Sequence, residues 1–204
     1  MTKNTKVHIV YCHPENSSMT NEIKKAYIQG LKSKNIEYTI TDLYKEHFQS
    51  DLTRKEYQRE SEYVSCELSR DVRKQQKLIN DADILTFIFP LFWMDAPSKL
   101  VGYFSRVFTV GFRYTNDNTK SRMKTLKEVN FLIITGSSYE DLLNDGKIEA
   151  LKTIFIKDRI ADKSQRTRMY FFSNTAVHKK ERLSNKEKYI QRARKIGFIT
   201  PRTI

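Results

Sequence analysis

The stretch from Ile84 to Phe108, ILTFIFPLFWMDAPSKLVGYFSRVF, restricts the fold more than any other part of the chain. Its opening run, Ile84 to Phe89, is short and almost wholly apolar, as suits a strand buried on both faces of a parallel sheet. Pro90 cannot donate a backbone hydrogen bond and should end the ladder. Phe92, Trp93 and Met94 then fall on a loop, and Pro97 sits where the first turn of a helix should begin. Leu100, Tyr103, Phe104, Val107 and Phe108 recur at the spacing of one helix face. Strand, aromatic loop and helix in series have the layout of a ligand site, because ligands bind outside the carboxyl ends of strands in open α/β sheets. The rings can pack on a flat ligand or tuck into the core. The pattern alone leaves both open.

The same alternation recurs on either side. Lys6 to Tyr11 (KVHIVY) reads as a first strand, inside which His8 is a structural histidine. It leads through HPENSSMT into a helix ending near Lys32, with Met19, Ile23, Ala26, Tyr27 and Leu31 on one face. Ser17 or Ser18 supplies the N-cap. A strand, a hydroxyl-rich loop and a helix present unpaired N–H groups and a positive dipole end to an anion. Lacking a glycine array and a Gly-Lys-Ser/Thr, the loop is not a Walker loop. Ile36 to Thr41 alternates apolar and polar residues, as an edge strand does, and Glu46 to Ser61 reads as a long polar surface connection. Ser69 to Ala82 is a helix with Val72 and Ile79 inward. Val129 to Ile134 is a second buried strand and runs into Thr135, Gly136 and Ser137. Gly136 either lets the backbone approach a ligand or is an ordinary turn glycine. Lys147 to Lys157 reads as a helix, Arg168 to Phe172 as a fifth strand, and Ser184 as the cap of a last helix ending near Ile196. Five strands alternating with helices give a three-layer α/β sandwich, a parallel sheet of order 2-1-3-4-5 with helices on both faces.

Hydrophobic residues at 39% and charged residues at 30% suit one folded domain spanning residues 1–204. No apolar run approaches the ~20 residues that cross a bilayer, and the amino terminus lacks the apolar core of a signal peptide. Cys12 and Cys66 form no disulfide framework or metal spacing, and the four histidines share no ligand spacing. A cytoplasmic protein without a metal is expected. The net charge of +13 is uneven: residues 147–204 hold 16 Lys/Arg against 5 Asp/Glu. That basic quarter is either a solvated face or an attractor of polyanions, anionic lipid or phosphorylated cofactors. No reading motif for nucleic acid accompanies it, and no nucleic-acid partner is expected.

The series FPLFWMDAPSKLVGYFSRVFTVGF, together with His13, Ser17, Ser18, Thr20 and Thr135-Gly136, resembles the flavodoxin-like NAD(P)H:quinone oxidoreductase (DT-diaphorase-like) family. The resemblance implies that Ser18, Met19 and Thr20 surround a flavin phosphate, with His13 and Ser17 close by. It implies that Pro90, Leu91, Phe92, Trp93 and Met94 line the isoalloxazine, and that Thr135, Gly136 and Ser137 contact its pyrimidine end. It further implies FMN, with FAD as the alternative, and NAD(P)H as co-substrate in a ping-pong transfer to a quinone or another small aromatic acceptor such as an azo or nitro compound. A homodimer sharing its sites, with Phe92, Trp93, Phe108, Phe112 and Tyr114 at the interface, belongs to the same expectation. No catalytic side chain is implied; the backbone around Trp93 and Gly136 takes that place. The family also includes regulatory subunits of membrane potassium efflux systems, in which the basic quarter would meet a transporter or anionic lipid. The chain departs from the pattern at Ser137, which replaces a second glycine. It also lacks secure counterparts of the tyrosine and histidine near the hydride acceptor.

Overall fold

The computed structural model describes residues 4–62, 67–115, 120–176 and 179–200. Cys66 and His178 lie outside these, as does the side chain of Ser184. Five strands, β1 (Lys6–Tyr11), β2 (Glu37–Asp42), β3 (Ile84–Pro90), β4 (Glu128–Ile134) and β5 (Thr167–Phe172), form one parallel sheet in the order β2-β1-β3-β4-β5. Of the three inner strands, β3 and β4 are buried at every residue, as their unbroken apolar runs require. Pro90 remains in register with Ile134, and Leu91 N–H donates to Ile134 O (2.7 Å), so the ladder runs one bond past the proline.

The helices are α1 (Met19–Ser33), α2 (Arg54–Glu62), α3 (Arg70–Asp81), α4 (Ser98–Val107), α5 (Tyr139–Asn144), α6 (Lys147–Lys152) and α7 (Lys179–Phe198). One core lies under α1 and α7, where Ile23, Tyr27, Leu31, Ala193 and Ile196 meet Val7, Ile9, Ile88 and Leu132. The other lies under α3, α4 and α6, where Phe87, Phe89 and Phe131 meet Leu100, Phe104 and Phe155. Gly30 and Gly197 let α1 and α7 touch along their backbones, since a Cβ on either would enter the partner helix's main chain.

Four expectations are corrected. The Glu46 to Ser61 connection contains α2, which ionic contacts anchor: Arg106, side chain 3% exposed, donates to Glu56 (2.7 and 3.0 Å) and Asp71 (2.6 Å). Burial opposes charge on Glu56, yet the Arg106 and Thr53 hydrogen bonds hold its carboxyl below the usual range. Pro97 is the N-cap of α4, not part of its first turn. The helix expected over Lys147 to Lys157 is α6 followed by a π-helical segment, Thr153–Ile160. The last helix begins at Lys179, so Ser184 lies inside it.

Candidate ligand-binding site

The carboxyl ends of β1, β3 and β4 bring three loops together. After β1, Ser18 caps α1: its Oγ accepts from Asn21 N–H (3.2 Å) and donates to Glu15 O (2.9 Å). His13 Nδ1 accepts from Glu15 N–H (2.9 Å). Ser17 N–H donates to the Glu15 carboxylate (2.9 Å), and the Ser17 and Asn16 contacts hold that fully exposed carboxyl below its usual range. These donors therefore already stabilise one anion. Met19 and Thr20 N–H, the first of α1, carry no hydrogen bond among the described residues and sit at the positive end of a helix fifteen residues long. Cys12, at the end of β1, is buried, and burial pushes its thiol up to about 12, which rules it out as a thiolate nucleophile at neutral pH.

After β3, Phe92 and Asp95 exchange both backbone hydrogen bonds (2.9 and 3.0 Å) around Trp93 and Met94. Both central residues have left-handed φ, +49° and +64°, the condition of a tight I′-type turn. For residues this large that backbone costs about 1 kcal/mol or more each. Trp93 gains no burial for it, since its side chain is fully exposed, while Leu91 and Met94 pack against the core. After β4, Thr135 is committed to the frame. Its N–H donates to Phe172 O, its carbonyl accepts from Thr175 N–H and Oγ1, and its hydroxyl accepts from Ser137 N–H. Gly136 has no left-handed φ; a Cβ there would crowd Ala176 at 3.0 Å, so packing explains this glycine.

A groove of about 400 Å³ runs between the first two loops. His13, Ser17, Ser18, Met19 and Thr20 line one end and Pro90 and Phe92 the other. Leu91, Trp93, Met94, Thr135, Gly136 and Ser137 are not in its wall; the first three belong to the second loop and the last three to the loop after β4. Four lining residues escaped the sequence: Glu22, Ile134, Thr175 and Lys186. Lys186 comes from α7 and makes a long, half-exposed ion pair with Glu22 (3.9 Å), whose carboxylate also pairs with Lys25 (3.1 Å), so an anion in the groove would compete with Glu22 for its ammonium. Only its place in the basic quarter hinted at this. Phe108 and Phe112, expected at an interface, are 8% and 1% exposed, because α4 and the core already cover them. Phe92 and Tyr114 are half exposed. Among the described residues no cluster of His, Cys, Asp or Glu could hold a metal, and no helix is long and apolar enough to cross a membrane.

A family model described as a flavodoxin-like fold matches residues 5–195. The solved NAD(P)H:quinone oxidoreductase of Methanothermobacter marburgensis is 31% identical, covers 96% of each chain and superposes with a TM-score of 0.87. NAD(P)H dehydrogenase [quinone] 1 of Cavia porcellus is 36% identical over 121 residues, 52% of this chain and 44% of that enzyme. The chain thus spans about half the length of the curated relatives it matches. General stress protein 14 of Treponema denticola, solved with FMN, is 18% identical with a TM-score of 0.62 over 94% of this chain, a likeness of fold alone.

Proposed function

The chain belongs to the flavodoxin-like-fold family, and from that premise we propose that it is a flavin-dependent NAD(P)H:quinone oxidoreductase acting as a single domain in the cytoplasm. The observation that carries the reading is the groove joining a phosphate-type donor set to an aromatic wall. Unpaired N–H groups of Met19 and Thr20, the hydroxyls of Ser17 and Thr20, and Lys186 fit a phosphate by their chemistry. FMN suits this set better than FAD, because a terminal phosphate is a dianion, one charge of which the lysine can offset while the N–H groups and the helix start face the other. Pro90 and Phe92 in the wall would take the flat ring, with Leu91, Trp93 and Met94 flanking on the same loop and Gly136 and Ser137 at its edge.

When bound, the flavin supplies two-electron chemistry, accepting hydride from NAD(P)H and reducing a quinone, azo or nitro acceptor. The protein supplies place and charge. Lys186 and the start of α1 hold the phosphate end, and the Phe92–Asp95 turn fixes the ring wall. The N–H groups of Trp93 and Gly136 carry no bond among the described residues and can stabilise negative charge gathered at the ring edge. With flavin bound, donor and acceptor would occupy the groove in turn, the condition for ping-pong kinetics. The exposed Trp93, with Phe92 and Tyr114 also half exposed, favours a homodimer in which a second copy closes the groove. The direct test is to identify flavin released from the purified protein and to follow NADH and NADPH oxidation with a quinone, a nitroaromatic and an azo dye. Absence of turnover with every acceptor would overturn the reading.

A further inference from the structure

Something must hold the Phe92–Asp95 turn in place. Two bulky residues in left-handed φ, one wholly exposed, would relax to ordinary backbone unless the surroundings dictate the shape. The two backbone bonds between Phe92 and Asp95 close the turn without attaching it to the body. Met94 rests on the core, and the polar attachment comes through the Asp95 carboxylate. Its Oδ1 accepts from Ala96 N–H (2.7 Å) on the chain itself and from Arg159 Nη2 (3.3 Å), a residue 64 positions away.

Arg159 is built to stay where it is. Its guanidinium lies over the rings of Phe104 (4.6 Å) and Phe155 (4.5 Å), and its side chain is only 13% exposed. Arg113 fixes the backbone behind it, donating from Nε to Arg159 O (2.8 Å) and from Nη2 to Asp158 O (3.0 Å). The segment that delivers it is itself costly. Thr153–Ile160 is π-helical, a rare geometry concentrated at functional sites, and Ala161 ends it at φ +46°, ψ −119°. Nη1 is buried with no hydrogen-bond partner, a further cost of placing the group here. Burial lowers the pKa of Arg159, and Asp95 is the first charge that opposes the shift. Costs of this kind, gathered on one side chain whose outward bond goes to Asp95, suit a group that positions another element.

We propose that Arg159 is a positioning residue: through Asp95 it fixes the Trp93–Met94 turn, so that the ring wall is formed before any ligand arrives. The assignment rests on the reading of that loop as the flavin's ring wall, but its mechanical part holds in the ligand-free protein. Trp93 is the chain's one tryptophan, so its fluorescence anisotropy reports the turn alone.

The test compares wild type with R159Q, R159K and D95N, first without flavin. In R159Q the hydrogen-exchange protection of the Phe92 and Asp95 amides should fall about tenfold and the Trp93 anisotropy should drop, while the β3 amides keep their protection. R159K should behave like R159Q, because an ammonium cannot lie across both rings and still reach Asp95. D95N, which keeps an Oδ1 acceptor, should retain most of the protection. With FMN as the probe, R159Q should bind about tenfold more weakly. Wild-type protection and anisotropy in R159Q would overturn the proposal, and so would a loosened turn that binds FMN as tightly as wild type does. Should R159Q fail to fold, D95A breaks the same contact at a carboxylate 42% exposed and must show the same loss. A wild-type protein that binds no flavin would sink the functional reading alone, with the exchange data still deciding the role of Arg159.

Discussion

At His8 an imidazole sits in mid-strand with no exposure, Nδ1 2.8 Å from Thr39 Oγ1 and Nε2 3.5 Å from Thr41 Oγ1. Burial lowers its pKa from 6.5 to about 4, so the folded chain holds it neutral where the unfolded chain takes up a proton. Stability should therefore be full above pH 6.5 and fall as the pH drops from 6.5 toward 4, by up to about 3 kcal/mol from this group. Denaturant midpoints across that range should flatten in His8→Gln, and an unchanged slope would remove His8 as its source. The strand position announced a structural histidine, but its threonine partners depend on β1–β2 register, which periodicity does not state. Lys186 shows the same limit: no local pattern ties α7 to the start of α1 across the groove. Lys186→Ala should weaken FMN binding about tenfold while leaving riboflavin binding unchanged, as titration of flavin fluorescence would show. Equal losses for both would take the lysine away from the phosphate.

Among elements, the apolar strands and the amphipathic helices were legible because each carries its own period: β3 and β4 as unbroken runs, α3 and α4 as stripes. What was not legible is held by partners remote in sequence. Helix α2 has little apolar face and is fastened through Glu56 to Arg106, fifty positions on. The Trp93–Met94 turn contains no glycine, the usual mark of left-handed backbone, so its shape could not be read from composition. The contact of α1 with α7 also hides in single residues. Gly30→Ala should force the helices apart and destabilise the protein by about 3 kcal/mol, measured by chemical denaturation. A shift under about 0.5 kcal/mol would mean that the helices slide freely.

For the whole molecule, the sequence led to the right sheet order, because short loops and right-handed crossovers leave few topologies for five alternating strands. The charge surplus of residues 147–204 was equally plain, but not its use. If it serves the cofactors, NADPH should be preferred to NADH and its binding should weaken more with added salt, because its extra phosphate offers a charge-assisted contact. Equal salt dependence would leave the basic quarter as a solvated face. Assembly should depend on Trp93 and Tyr114, not on the buried Phe108: Trp93→Asp should shift a dimer toward monomer in sedimentation while the fold persists. A wild-type monomer with full reductase activity would show that the chain closes its groove alone. The central claim, that the groove between Ser17–Thr20 and Pro90–Phe92 is a flavin site, stands or falls on one measurement. The purified protein's visible spectrum, read with its flavin-to-chain ratio, should show one noncovalent FMN per chain. Colourless protein that takes up neither FMN nor FAD on reconstitution would contradict it.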